Sequence, residues 1–116
     1  MWEVVERAEV AAAPGAVWRI VREVPDRDTT GAPRIDTAKE PRELAWTSAM
    51  SLADGGTVEH DVEVHSWFRL APNWTGTEVE YGVRFPHVLL AAEDAAVRRR
   101  LVAQLESVKA RAESAA

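Results

Sequence analysis

The sequence predicts an α+β domain in which an antiparallel sheet is covered on one face by a long C-terminal helix. Three observations support this prediction: a strand that leads directly into a short helix, a run of alternating apolar residues over 57–85, and an amphipathic closing segment. A chain of 116 residues has the usual size of one domain and can close one hydrophobic core. We therefore expect a single domain over residues 1–116.

The first strand and the first helix meet at Pro14. Residues 1–10 are rich in valine and form a β-leaning run with imperfect alternation. The fixed φ of proline suits the first turn of a helix, where its missing N–H costs nothing. After Pro14, one apolar stripe at helical spacing contains Val17, Ile20, Val21 and Val24. A short amphipathic helix should therefore follow the first strand.

Four more strands are predicted between this helix and the end of the chain. Proline, aspartate and glycine in 25–33 indicate a loop, and similar residues in 52–56 and 71–76 indicate turns. The strands between them are predicted at 34–37, 43–50, 57–70 and 77–85. The last two alternate cleanly between apolar and polar residues, which is typical of a sheet with one buried face.

The closing helix is predicted over 92–112. Its apolar stripe consists of Val97, Leu101, Leu105, Val108 and Ala112. Laid across a curved sheet, such a stripe leaves either a core filled by side chains or a gap that admits a ligand. The pattern is compatible with both outcomes.

Composition excludes several classes of function. There are no cysteines and only three scattered histidines, so we expect no metal site and no cofactor. The net charge of -5 argues against nucleic acid as a partner, and Arg98, Arg99 and Arg100 form too short a basic run to reverse that expectation. No apolar run approaches the ~20 residues that span a bilayer, and no export signal follows Met1. A cytoplasmic protein without membrane contact is expected.

The order of these pieces resembles the SRPBCC superfamily of START and Bet v 1-like helix-grip proteins, and within it the polyketide cyclase/dehydrase-like branch. The matching pieces are the strand–helix junction at 13–18, the strand end at 67–72, the strand start at 76–79 and residues 105–109 of the last helix. The resemblance implies a curved antiparallel sheet wrapped around the C-terminal helix, with a ligand cavity between them. It implies no catalytic set common to the family.

The chain departs from this family over residues 25–41, which are abbreviated. A shorter wall should make the cavity smaller or more open, and it leaves a sheet edge or an apolar surface for a second subunit to cover. A homodimer is therefore expected.

Inward-facing positions supply the candidate binding site for a small hydrophobic molecule, aromatic or polyketide-like in character. The predicted lining consists of Trp18, Trp46, Ser48, Met50, Val62, Val64, Ser66, Val79, Val83, Val97, Leu101 and Leu105.

Two other functions stay open. In the first, the protein is a polyketide cyclase or dehydratase that uses His60 or Tyr81 as a proton shuttle. The same pattern also fits His60 as an ordinary histidine at the rim of the sheet and Tyr81 as an ordinary core tyrosine. In the second, Trp67 and Trp74 form the surface of a protein-interaction module. His65 and His87 are expected to face solvent.

Overall fold

The computed structural model describes residues 1–27, 32–54 and 58–114, together with the side chains of 1–26, 32–50 and 62–114. In chain order the elements are β1 (Trp2–Val10), α1 (Pro14–Val21), α2 (Val24–Arg27), β2 (Arg34–Lys39), β3 (Glu43–Asp54), β4 (Val58–Asn73), β5 (Gly76–Phe85) and α3 (Ala91–Ser114). The predicted α+β helix-grip fold is confirmed: a curved antiparallel sheet packs against a long C-terminal helix, and a short helix follows the first strand.

The five described strands form one sheet in the order β1-β5-β4-β3-β2, and every neighbouring pair is antiparallel. The register places the apolar residues of neighbouring strands opposite one another, as in the pairs Val4–Val83 and Leu70–Val79. Because side chains alternate across a strand, one face of the sheet is therefore continuously apolar. The pairing of β4 with β5 begins at His65, so residues 58–64 pair with β3 alone.

The junction between β1 and α1 is fixed by bonds to the start of β5. Thr77 is fully buried, and its Oγ1 donates to the carbonyl oxygen of Ala12 at 2.7 Å. Gly76 has a φ of +152°, and a Cβ there would lie 2.2 Å from the carbonyl oxygen of Val10. Only glycine accommodates both conditions. The helix begins at Pro14 as predicted, and it buries Val17, Trp18, Ile20 and Val21.

Helix α3 runs along β1 and reaches α1 with its C-terminal half. Its predicted apolar stripe is buried in the same core as the inward valines of β4 and β5. Polar bonds align the helix with β1: Trp2 Nε1 donates to Asp94 Oδ1 at 2.8 Å, and Lys109 Nζ donates to the carbonyl oxygen of Glu9 at 2.9 Å. The backbone N–H of Ala11 donates to Glu113 Oε2 at 2.8 Å. None of the helices in the described ranges is both long and apolar enough to cross a membrane.

Several element ends differ from the sequence-based predictions. A helical turn, α2, replaces the start of the loop predicted at 25–33, because Pro25 lies in the first turn of a helix, where proline is tolerated. The turn predicted at 71–76 is shorter, since Asn73 pairs with Gly76 and its Oδ1 accepts the N–H of Thr75 at 3.1 Å. The predicted turn at 52–56 is shorter as well, because β3 continues to Asp54; Gly55 and Gly56 lie outside the described residues, as does Gly31 of the predicted loop.

The packing of α3 can be tested with two adjacent residues that differ in burial. Leu101 is 1% exposed and Val102 is 40% exposed. We expect Leu101→Ala to lower the free energy of unfolding by about 2 to 5 kcal/mol, the range found for buried leucines that leave a cavity. Val102→Ala should change it by less than about 0.5 kcal/mol. Urea unfolding followed by circular dichroism measures both, and equal losses in the two variants would contradict the packing.

Candidate functional site

The concave face of the sheet brings most of the predicted lining residues together. Those that are buried in the common core are Trp18, Trp46, Val62, Val64, Val79, Val83, Val97, Leu101 and Leu105. Ser66 is buried beside them, while Ser48 and Met50 are half-buried. The strand residues among them therefore share one face of the sheet, as the alternation predicts, and Trp18 of α1 and the three α3 residues pack in the same core. That they contact a ligand stays a prediction.

An aromatic wall crosses three strands on this face. Phe68 on β4 lies directly opposite Tyr81 on β5, with ring centroids 4.3 Å apart. Trp46 on β3 stands 5.7 Å from Phe68 and 6.2 Å from Tyr81. Offset rings at these distances attract one another beyond the area that they bury. Phe68 is not among the lining residues predicted from the sequence, and its position opposite Tyr81 depends on the register of the sheet.

Of the two predicted proton shuttles, the structure describes the side chain of Tyr81 but only the backbone of His60. Tyr81 is buried, and its ring is part of the aromatic wall. The backbone of His60 lies in β4 opposite Leu52, whereas its side chain lies outside the described residues. Both catalytic roles stay predictions. In the described part of the chain, acidic and histidine side chains form no group of three that could hold a metal ion.

The prediction of an exposed Trp67 is wrong. Its side chain is on the convex face, as the alternation requires, but it is only 8% exposed because its ring lies over Gly82. A Cβ at Gly82 would stand 2.2 Å from the Cζ2 atom of the indole. The guanidinium groups of Arg69 and Arg84 lie 5.5 and 5.7 Å from the ring centroid, and both distances are within the range of a cation–π contact.

Trp67 therefore adds almost no exposed aromatic area to the interaction surface predicted with Trp74. Trp74 itself is fully exposed in the turn between β4 and β5. The sequence does indicate a close contact at Gly82, because a glycine inside a strand often marks a place where another group approaches the backbone.

Glu80 holds the indole of Trp67 in place through a hydrogen bond. It accepts the Nε1–H of Trp67 at 2.9 Å and forms ion pairs with Arg7 at 2.8 Å and Arg69 at 3.1 Å. Partial burial raises the pKa of Glu80, but the hydrogen bonds from Trp67 and Arg7 and the charges of Arg7 and Arg69 outweigh it. The pKa is therefore lowered, and the carboxylate stays ionised as the centre of this network.

A second polar network on the convex face includes His65. The predicted exposure of His65 is confirmed, and its Nδ1 lies 2.9 Å from Thr47 Oγ1, which in turn donates to Asp36 Oδ2 at 2.5 Å. The bond from Thr47 is the main reason why the pKa of Asp36 is lowered, and Arg34 adds to the effect against the opposing contribution of burial. His87 is exposed as well.

Among the pockets lined by described residues, two flank α3. One of about 180 Å³ lies between β1 and α3 and is lined in part by Ala8, Val102 and the predicted ligand contact Leu105. The other, of about 570 Å³, is open and lies between α1 and the C-terminal end of α3. Both flank the helix and open to the surface.

Comparisons with known proteins agree with this architecture. No protein-family model and no curated protein matches the chain. Among solved structures, the protein MLL2253 from Mesorhizobium loti is 14% identical with a TM-score of 0.73, covering 95% of this chain and 96% of that one. The Aha1 dimer from Colwellia psychrerythraea is 14% identical with a TM-score of 0.68 and 97% coverage of both chains.

A third similar structure is DynU16, described as a putative protein in the dynemicin biosynthetic locus. It is 15% identical with a TM-score of 0.66, and the match covers 97% of this chain but 46% of DynU16. At these identities the likenesses show the fold alone. They fit the helix-grip architecture that the sequence resemblance implies.

The contact between Trp67 and Gly82 can be tested with two alanine substitutions. Gly82→Ala should lower the free energy of unfolding by about 1 to 3 kcal/mol, because the added methyl group displaces a buried ring. Gly15→Ala is the matched control, since a Cβ there meets nothing within 4 Å. It should be neutral or stabilise α1 by up to about 1 kcal/mol. Chemical unfolding measures both, and an unaffected Gly82→Ala variant would disprove the contact.

Proposed function

We propose that the concave face binds a small hydrophobic molecule, aromatic or polyketide-like in character. The observation that supports this proposal best is the aromatic wall of Trp46, Phe68 and Tyr81 on the face that packs toward α3. Ligand sites are mostly apolar with a few polar groups that fix orientation, and this face has that composition. The affinity would come mainly from buried apolar area, at roughly 25 cal/mol per Å² before the costs of association.

Three inner-face residues at the border of the wall suit a ligand role. Met50 is half-buried against the core, and its unbranched thioether side chain adapts to the shape of what it contacts. Ser66 lies opposite Trp46 in the register, and Ser48 lies opposite Val64 on the same strand pair. A hydroxyl donates one hydrogen bond and accepts two, so either serine is able to orient a ligand carbonyl or hydroxyl group.

The comparisons add support of a general kind. DynU16 is described by its place in a biosynthetic locus, and it shares the fold of this chain. A small biosynthetic molecule as the ligand is consistent with that neighbour.

The ligand proposal is tested with 2-naphthol as an aromatic probe. We expect saturating 2-naphthol to raise the melting temperature, because a ligand at 100 times its Kd stabilises the folded state by about 2.7 kcal/mol. Met50→Trp should fill the space beside the wall and reduce the shift, whereas Ala103→Trp at an exposed position of α3 should leave it unchanged. Differential scanning fluorimetry and calorimetric titration measure the effect. If neither 2-naphthol nor larger fused-ring phenols raise the melting temperature, the proposal is ruled out.

We also propose that a second copy of the chain covers the edge of β2. The backbone of the other edge strand, β1, already accepts bonds from α3, at Val5 from Arg98 and at Glu9 from Lys109. Strand β2 has no such cover within the described residues, and its inward-facing Ile35 is 48% exposed. Open edges with apolar side chains favour pairing with another chain. The similar Aha1 structure is described as a dimer, which supports this proposal.

Light scattering coupled to size-exclusion chromatography tests the dimer. The unmodified chain should elute with twice the mass of one chain, and Ile35→Lys should shift it to the monomer, because a charge would be buried without a partner. Val102→Lys on α3 is the control and should remain dimeric. A monomer at all concentrations would refute the proposed pairing.

A further inference from the structure

A pocket at the turn between β2 and β3 is lined mostly by cations. Its volume is about 310 Å³, and its lining consists of Lys39, Arg42, Glu43, Arg69 and Leu70. Three of these five residues carry a positive charge in a chain whose net charge is -5. The pocket lies on the opposite side of the sheet from the aromatic wall, since Arg69 shares the convex face with Trp67. It is therefore independent of the proposed ligand site.

Two of these cations differ from most others in the molecule. Within the part of the chain that the structure describes, Lys39 and Arg42 form no ion pair. Most other described cations have one; these are Arg7, Arg34, Arg69, Arg84, Arg98, Lys109 and Arg111. Two unpaired cations converging on one concave surface keep their full capacity to bind an anion.

The pocket is also held in a fixed shape. The N–H of Arg42 donates to the carbonyl oxygen of Lys39 at 2.7 Å, and the carbonyl oxygen of Arg42 accepts the N–H of Leu70 at 2.8 Å. These bonds close the turn and attach it to β4. Arg69 is oriented from the other side by its ion pair with Glu80 and by the ring of Trp67. Binding an anion therefore requires little ordering of the backbone, which lowers the free-energy cost of binding.

We propose that this pocket binds a phosphate group, either free phosphate or the phosphate of a small monoester. Two guanidinium groups and one ammonium group provide forked and single donors that match the oxygens of a tetrahedral dianion. The carboxylate of Glu43 lines the same pocket and lies opposite both Lys39 and Arg69 in the strand registers. Because like charges repel, Glu43 weakens the binding of phosphate.

This arrangement predicts that substitutions of the cations and of Glu43 change the affinity for phosphate in opposite directions. Replacing both unpaired cations, as in Lys39→Gln with Arg42→Gln, should abolish saturable binding. Replacing Glu43 by Gln should tighten binding by roughly two- to fivefold, the range of a surface charge interaction. Arg19→Gln with Arg22→Gln is the matched control, because it removes two exposed cations of the α1 region and leaves the pocket intact.

The experiment is a titration of the full chain with inorganic phosphate and, separately, with phenyl phosphate at constant ionic strength, followed by amide NMR shifts. Saturable shifts at residues 39, 40, 42, 43, 69 and 70 that disappear in the double pocket variant support the site. Binding of both compounds identifies the phosphate group alone as the ligand, and binding of phenyl phosphate alone identifies a monoester. No saturable shift with either compound, or equal affinity in the pocket and control variants, would overturn the proposal. Circular dichroism confirms that each variant is folded.

Discussion

The packing of α3 onto β1 and the concave face is the constraint on which the rest of the structure depends. The sheet is apolar on one side, and α3 together with α1 separates that side from water. Leu101, Leu105 and Val108 provide the apolar cover. The alignment is set by the hydrogen bonds that Asp94 and Glu113 accept from Trp2 and Ala11 and by the one that Lys109 donates to Glu9. Hydrophobic contact is not directional, so these polar bonds determine where along the strand the helix lies.

The two faces of the sheet are stabilised by different interactions. The concave face contains aromatic and branched aliphatic side chains, which stabilise it through buried area and packing. The convex face has no helix over it in the described part of the chain, and there Glu80 and Thr47 organise networks of charged and aromatic groups. A tryptophan is shielded on this side by cations and by the absence of a side chain at Gly82. The same period-2 alternation thus produces two surfaces of different chemistry.

Sequence reasoning reached the fold and the inner face because both depend on local periodicity. The alternation through Val62, Val64 and Ser66 fixes which side chains point inward, and the stripe through Leu101 fixes the buried side of α3. It failed where the outcome depends on a partner distant in sequence. The burial of Trp67 requires Gly82 on the next strand, and the contact between Phe68 and Tyr81 requires a particular register. Alternation specifies a face, but only the pairing of strands specifies which residues meet on it.

The two sheet edges are unequally protected, which bears on how copies of this chain would assemble under the proposed pairing. A chain with two open edges can add neighbours on both sides and grow into a fibre, as stacked strands do in amyloid. Here Arg98 and Lys109 occupy backbone carbonyls of β1, so among the described strands β2 is the remaining edge. Contact through one self-complementary patch closes after two subunits and leaves nothing to extend. If copies pair through β2 as proposed, the contacts of Arg98 and Lys109 with β1 leave the assembly without a second backbone edge from which to extend.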